Sequence, residues 1–273
     1  MRFAKAHGTG NDFVVLPDPD GEIDLTPDLV IALCDRRRGI GGDGVLRVVR
    51  SAKHPDAAHL AADAEWFMDY VNSDGSVAQM CGNGVRAYAR YLVTEGLVPS
   101  DTVELPIATR SGIVQVEIGP ELITVKMVTP EMGEHAVTVV GGLQLVGTSV
   151  TVGNPNLVCW VAHPEKLDLT RAPELDPADF PAYANIEFIA PAPPVDDADV
   201  HVVMRVFERG AGETLSCGSG TCAVAAVVLR DSDLDGGLVA IDVPGGRLTV
   251  RIDETGCYLT GPAVIVATGE VLI

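Results

Sequence analysis

Met80-Cys81-Gly82-Asn83-Gly84-Val85-Arg86-Ala87 and Ser216-Cys217-Gly218-Ser219-Gly220-Thr221-Cys222-Ala223 are two versions of one element, 136 residues apart in a chain of 273. Each follows a strand and a turn, Asp74-Gly75-Ser76 in the first case and Gly210-Ala211-Gly212-Glu213 in the second, and each leads into a helical run. In the first run Val85, Tyr88, Ala89 and Leu92 fall at i, i+3, i+4 and i+7, the spacing of one buried helical face. The second, Ala223 to Leu229, is apolar all round, as expected for a helix enclosed by protein on every side. A shared element at a half-chain offset predicts two pseudo-symmetric lobes. The fold class is α/β of the α+β type, each lobe a mixed, mostly antiparallel sheet or barrel wrapped around a central helix, with a cysteine at that helix's N-terminus.

Outside the repeat, strand signals dominate. Arg2 to Leu16 reads as a strand interrupted by the loop His7 to Asp12, and Val45–Val49 and Trp66–Val71 as further strands. Thr26 as N-cap and Pro27 at the first helical position predict a helix running through Cys34 to Arg38, with basic residues in its last turn. Gly39-Ile-Gly-Gly-Asp-Gly44 is a Gly-rich turn, and 54–64 reads as a loop. Residues 163–184, with four prolines, are irregular, and Ala190 to Asp197 reads as a stiff connector. Short β-branched strands are expected at 103–107, 113–118, 121–128, 144–152, 156–161, 202–207, 239–243, 247–252, 257–259 and 263–266.

Composition narrows the function classes. Gly and Pro number 29 and 18, about a sixth of the chain, which favours turns and short strands over a helical bundle. The net charge of −19 argues against nucleic acid or an anionic membrane surface as partner. No apolar run reaches the roughly 18–20 residues of a membrane span, and Met1 to Gly8 carries no signal-peptide core. A cytoplasmic globular protein is the expectation. The six cysteines show no CxxC pair and no metal-ligand spacing with histidine, so no metal and no disulfide framework is expected. The four lysines lie away from any Gly-rich phosphate loop, and there is neither a GxGxxG nor a Walker element, so cofactor-free chemistry fits best.

Cys34, Cys159, Cys222 and Cys257 sit in apolar segments and read as buried small hydrophobes. Cys81 and Cys217 stand instead where a helix begins. Unpaired N–H groups and the helix dipole favour negative charge there, which lowers a thiol's pKa. The glycines that follow let backbone N–H groups reach a bound carboxylate. Two such sites facing each other across a cleft would grip one carboxylate and put one sulfur on each face of the adjacent carbon. One thiolate removes the α-proton and the opposite thiol returns a proton to the other face, inverting the centre, and the titration belongs to the pair.

These blocks resemble diaminopimelate epimerase over nearly the whole chain: His7 to Phe13, Gly39 to Asp43, Asn72 to Ser76 with Cys81 to Gly84, Gly153-Asn154-Pro155, Asn185 to Phe188, Glu208 to Glu213 with Cys217 to Gly220, and Val243 to Gly246. The resemblance implies a pyridoxal-independent isomerase converting L,L-2,6-diaminoheptanedioate to the meso form, on the route to lysine and peptidoglycan. It implies lobes of about 1–120, joined by a returning strand at 263–273, and 121–262. Cys81 and Cys217 match the catalytic pair, and Gly82, Asn83, Gly218 and Ser219 the donors to the reacting carboxylate. Arg209, helped by Asn72 and Asn185, would hold the distal carboxylate, and Glu208 an ammonium. Asn11 and Asn154 match further substrate-contacting positions.

Three positions depart from the family pattern. A histidine that tunes the cysteines is often found where this chain has Asn156, leaving Glu208, or another histidine, to adjust the pair. A substrate-contacting glutamine is replaced by Gly44, and a tyrosine associated with dimerisation by Ala267. A homodimer is therefore an analogy with the family. Two other readings remain open at this stage: another two-thiol amino-acid racemase of the proline racemase type, and a redox or ligand-binding protein with a regulatory Cys81–Cys217 disulfide.

Overall fold

The computed structural model describes residues 1–272, which divide into two compact units: 1–125 with 261–272, and 126–260. Strands β1 (Arg2–Gly8) and β2 (Asn11–Pro17) form a hairpin. Thr9 and Gly10 both have positive φ, 50° and 83°, as a two-residue hairpin turn matching the strand twist requires. The interruption expected over His7 to Asp12 is thus confined to two residues. Helix α1 (Pro27–Cys34) starts as predicted, with Thr26 Oγ1 accepting from Leu29 N–H, but ends at Cys34 and has no basic residue in its last turn. The reason is Asp35: its carboxylate accepts from the N–H groups of Arg37 and Arg38 and from the Arg38 guanidinium, which folds Arg36 to Arg38 into a turn. The first unit continues with β3 (Gly44–Arg50), β4 (Trp66–Asn72), α2 (Gly82–Thr94), β5 (Glu104–Thr109), β6 (Gly112–Ile118) and β7 (Leu122–Met127). Residues 54–64 contain a short 3-10 turn at Ala58–Leu60 rather than open loop throughout.

The second unit contains β8 (Glu131–Val140), β9 (Leu143–Thr151), β10 (Pro155–Trp160), the two-residue β11 (Glu174–Leu175), β12 (Asn185–Pro191), β13 (Val200–Glu208), β14 (Gly212–Thr214), α3 (Gly218–Asp231), β15 (Gly237–Val243), β16 (Gly246–Asp253) and β17 (Gly256–Pro262). The last strand, β18 (Val264–Glu270), returns to the first unit and pairs with β1. The strand reading overlooked β8, where five of ten positions are exposed and alternation is lost at a bulge, and β12, which runs on through Ala190-Pro191.

The sheets confirm the duplication. Along β18-β1-β2-β3-β4-β5-β6-β7 the pairings run antiparallel, antiparallel, parallel, antiparallel, parallel, antiparallel, antiparallel. Along β8-β9-β10-β12-β13-β15-β16-β17 the same series recurs. A parallel step needs a crossover, and in each unit a helix provides the second one: α2 between β4 and β5, α3 between β13 and β15. Val85, Tyr88, Ala89 and Leu92 are fully buried, as their spacing predicts, and so is α3 from Gly220 to Ala225. Arg86, which is not part of that four-residue face, is also fully buried. Its Nη2 donates to Thr9 Oγ1 at 3.0 Å and Asn83 Oδ1 at 2.9 Å, which ties the first turn of α2 to the β1–β2 hairpin.

Candidate active site

Both sequence-predicted cysteines are N-cap residues, with nearly the same backbone: φ −146°, ψ 118° at Cys81 and φ −125°, ψ 119° at Cys217. These extended torsions turn the side chain back over the first helical turn, where unpaired N–H groups lie. Cys81 Sγ accepts from Gly84 N–H at 3.4 Å. Cys217 Sγ lies 3.5 Å from Ser219 Oγ.

In the first unit, Asn11 at the start of β2 meets the thiol. Its Oδ1 is 3.5 Å from Cys81 Sγ and accepts from Asn83 Nδ2 at 3.3 Å, while its Nδ2 donates to Asp43 Oδ2 at 2.7 Å. Asp43 is in turn held by Arg36 Nη2 at 2.7 Å, and Arg36 grips both oxygens of Asp12, which also takes Lys5. The two cations hold the Asp12 carboxyl well below the usual carboxylate range against a burial cost of opposite sign. Asn72, at the end of β4, donates to Ser76 Oγ at 3.0 Å and shapes the turn before Cys81.

In the second unit Asn156 on β10 and Asn185 on β12 are register partners, and Asn154 lies in the bend just before β10. Asn156 is fully buried, its Nδ2 donating to the carbonyl of Asn154 at 2.9 Å and its Oδ1 accepting from Asn185 Nδ2 at 3.1 Å. Asn185 Nδ2 also lies 3.8 Å from Cys217 Sγ, and its Oδ1 accepts the Arg209 N–H at 2.9 Å. Asn156 thus cannot titrate, but it fixes the amide that meets Cys217. The exposed Arg209 guanidinium makes no hydrogen bond or ion pair among the described residues, which leaves its fork available to a ligand. Glu208 Oε1 accepts from Thr214 Oγ1.

The lowered thiol expected from the helix dipole is not found at Cys217. Burial pushes it well above its ordinary value, the Glu208 and Glu187 carboxyls add to this, and the Ser219 hydroxyl and Gly220 N–H only partly oppose it. Here desolvation of a buried charge outweighs the dipole. Cys34 and Cys159, read as structural, are buried and pushed up to about 11 and about 12.

Sheet register makes the two surroundings directly comparable. Phe13 pairs with Gly44 in the first unit and Asn156 with Asn185 in the second, so Gly44 stands where Asn185 stands. A side chain at Gly44 would press on the Tyr70 ring and the Val71 carbonyl, each 2.6 Å from the place of a Cβ, and the glycine that departs from the family pattern is what this packing demands. Ala267 is exposed on β18. Two residues that sequence reading passed over inside its own quoted blocks are Asp43 and Glu187. The signal for Glu187 was a lone acid in the apolar run Ile186 to Ile189. No cluster of three or more His, Cys, Asp or Glu is disposed to hold a metal among the described residues.

The sequence profile described as Diaminopimelate epimerase matches residues 3–136 and 148–266. The chain is 48% identical to "Diaminopimelate epimerase" of Streptomyces coelicolor over 99% of its own length and 95% of that protein, and 46% identical to the protein of the same name from Thermobifida fusca, over 99% and 98%. The fold is shared with a phenazine biosynthesis protein of the PhzF family from Bacillus anthracis, with a TM-score of 0.77, 20% identity and coverage of 100% and 99% of the two chains. By its sequence match along nearly its whole length, the chain belongs to the diaminopimelate epimerase family.

Proposed function

We propose that this protein is a cofactor-independent isomerase that epimerises L,L-2,6-diaminoheptanedioate to the meso form, with Cys81 and Cys217 as its acid–base pair. The observation that carries the reading is the duplicated helix cap: each unit offers one cysteine with the same backbone geometry over a glycine-opened first turn. Inverting a carbon bearing a hydrogen needs a base on one face and an acid on the other, and two cysteines at equivalent helix caps supply one each. The thiolate takes the α-hydrogen as a proton, the electron pair spreads into the substrate carboxylate, and the other thiol returns a proton to the opposite face. The pair ends with its proton exchanged and no net redox change. Backbone N–H groups at Gly82, Asn83, Gly218 and Ser219 stabilise the charge that develops on the carboxylate.

Specificity for a substrate with a second charged end rests on Arg209, whose guanidinium can fork a distal carboxylate, with Asn72, Asn154 and Asn185 as neutral donors and acceptors and Glu208 for an ammonium. Asn11 serves as the amide that faces Cys81. Asn156 takes the modulating place that a histidine fills elsewhere in the family, acting by fixing Asn185. The product feeds lysine and peptidoglycan synthesis in the cytoplasm. No helix of the described residues is long and apolar enough to cross a membrane. A homodimer is supported by β18, which pairs only with β1 among the described residues and exposes Val264 and Val266, an open apolar strand edge of the kind proteins cover.

The test is incubation with L,L-2,6-diaminoheptanedioate in deuterated water. One deuterium should enter one α-carbon of the meso product, and Cys81→Ala and Cys217→Ala should each abolish epimerisation while leaving circular dichroism unchanged. A reduced, folded protein that neither exchanges nor epimerises would overturn the reading.

A further inference from the structure

Glu187 is fully buried in β12, and neither of its carboxyl oxygens has a hydrogen-bond partner. A buried polar group left unpaired costs about 1–3 kcal/mol, so its presence calls for a physical reason. Its place is against the first turn of α3: a Cβ on Gly220 would press on Glu187 Oε1 and lie 3.0 Å from its Cδ and 3.1 Å from its Cγ. The second glycine of Cys217-Gly-Ser-Gly220 is therefore the space that Glu187 occupies. In the first unit the corresponding glycine, Gly84, has Leu46 Cδ2 at 3.4 Å. Register agrees, since Leu46 is two residues beyond Gly44 and Glu187 two beyond Asn185. The duplicated site is thus broken at one position, with leucine under one cysteine-capped helix and an acid under the other.

The titratable groups that act on this end of the second unit are Cys217 on α3, Glu208 on β13 and Cys159 on β10, and no cation among the described residues pairs with Glu187. Burial and the Glu208 carboxyl push Glu187 well above the usual carboxylate range. Two neighbouring buried acids cannot both ionise readily. Of Glu187 and Cys217, the carboxyl starts some four units more acidic than the thiol, and burial pushes both in the same direction.

We propose that Glu187 is a positioning residue for the two-thiol reaction: it takes the one negative charge that the first turn of α3 accommodates, so that Cys217 keeps its proton and serves as the thiol of the pair. Leu46 imposes no such competition under the other helix. The inference rests on the acid–base reading of the pair given above, and it is tested without substrate, so that the two can fail separately.

The experiment is titration of thiolate absorbance in the full chain carrying Cys81→Ala, with the spectrum of Cys81→Ala/Cys217→Ala subtracted. Glu187→Gln should lower the Cys217 midpoint by about one pH unit or more, a tenfold loss of proton affinity. Glu187→Leu, which copies Leu46, should do the same and guards against a fault peculiar to the amide. Cys81, titrated in a Cys217→Ala background, should stay in place. If the Cys217 midpoint holds within about 0.3 unit in whichever of the two variants folds, or if Cys81 moves as far, the inference is overturned.

Discussion

Asn11 donates its Nδ2 to Asp43 at 2.7 Å, and this bond decides which end of the amide meets Cys81. With the nitrogen committed to a carboxylate, Oδ1 must face the thiol and Asn83. Asn185 shows the reverse arrangement: Oδ1 is committed to the Arg209 N–H, and Nδ2 faces Cys217.

Removing Asp43 should therefore misplace Asn11 without unfolding the chain, because Asp43 lies on a partly exposed turn. For Asp43→Ala we expect kcat to fall about 10- to 100-fold, the scale of a small misalignment at the reacting centre, with circular dichroism unchanged. An unaltered kcat would show that the amide keeps its orientation without the carboxylate.

The helix-cap cysteines, both central helices and most strands were legible because each rests on a local signal: Cys-Gly-x-Gly twice, apolar residues at helical spacing, and β-branched runs between turns. The buried cation Arg86 and the carboxylate strut from Arg36 through Asp43 to Asn11 were not, because each depends on residues tens of positions away whose proximity only the hairpin and sheet create. The direction of the Cys217 shift was missed for a related reason. The dipole of α3 can be read from sequence, but the burial that outweighs it is a property of the packed unit.

Arg209 has no partner to lose among the described residues, so its replacement tests binding in isolation. Arg209→Met should raise KM for L,L-2,6-diaminoheptanedioate about 10- to 100-fold, the range for a charge-assisted contact, while thermal stability stays within error. Arg209→Lys retains charge without the planar fork and should fall between the two. A KM unchanged in Arg209→Met would remove this residue from the substrate's distal end.

Glu187 also makes a prediction about stability. Its folded value lies above the unfolded one, so from about pH 4.3 upward the unfolded chain ionises there before the folded chain does. The folded state then binds more protons, and stability falls as pH rises through that window, by about 1.4 kcal/mol per unit until the folded group ionises. Cys217 has the same sign, but its loss begins only near the ordinary thiol value of about 8.5. Urea unfolding at pH 5 and pH 8 should show Glu187→Leu gaining on the parent as pH rises. Equal differences at the two pH values would mean that the fold does not raise Glu187 above its unfolded value.

The two glycines at the same step of the duplicated motif should respond oppositely to the same change. Alanine in place of glycine within a helix is favourable by up to about 1 kcal/mol when nothing obstructs it. At Gly84 a Cβ would meet Cys81 Cβ and Leu46 Cδ2 at 3.4 Å, ordinary contact, so Gly84→Ala should be neutral or slightly stabilising. At Gly220 the same atom would fall on the carboxyl of Glu187, and because Cγ and Cδ are as close as 3.1 and 3.0 Å, rotating the terminal carboxyl alone gives no relief. The side chain is fully buried, so the strand or the helix must move instead. Overpacking of this kind costs about 1–3 kcal/mol, and Gly220→Ala should lower the unfolding midpoint where Gly84→Ala does not. Adding Glu187→Ala to Gly220→Ala should recover part of the loss, a coupling expected of residues in direct contact. Additive effects in that double variant would place the acid away from the turn and undo the comparison with Leu46.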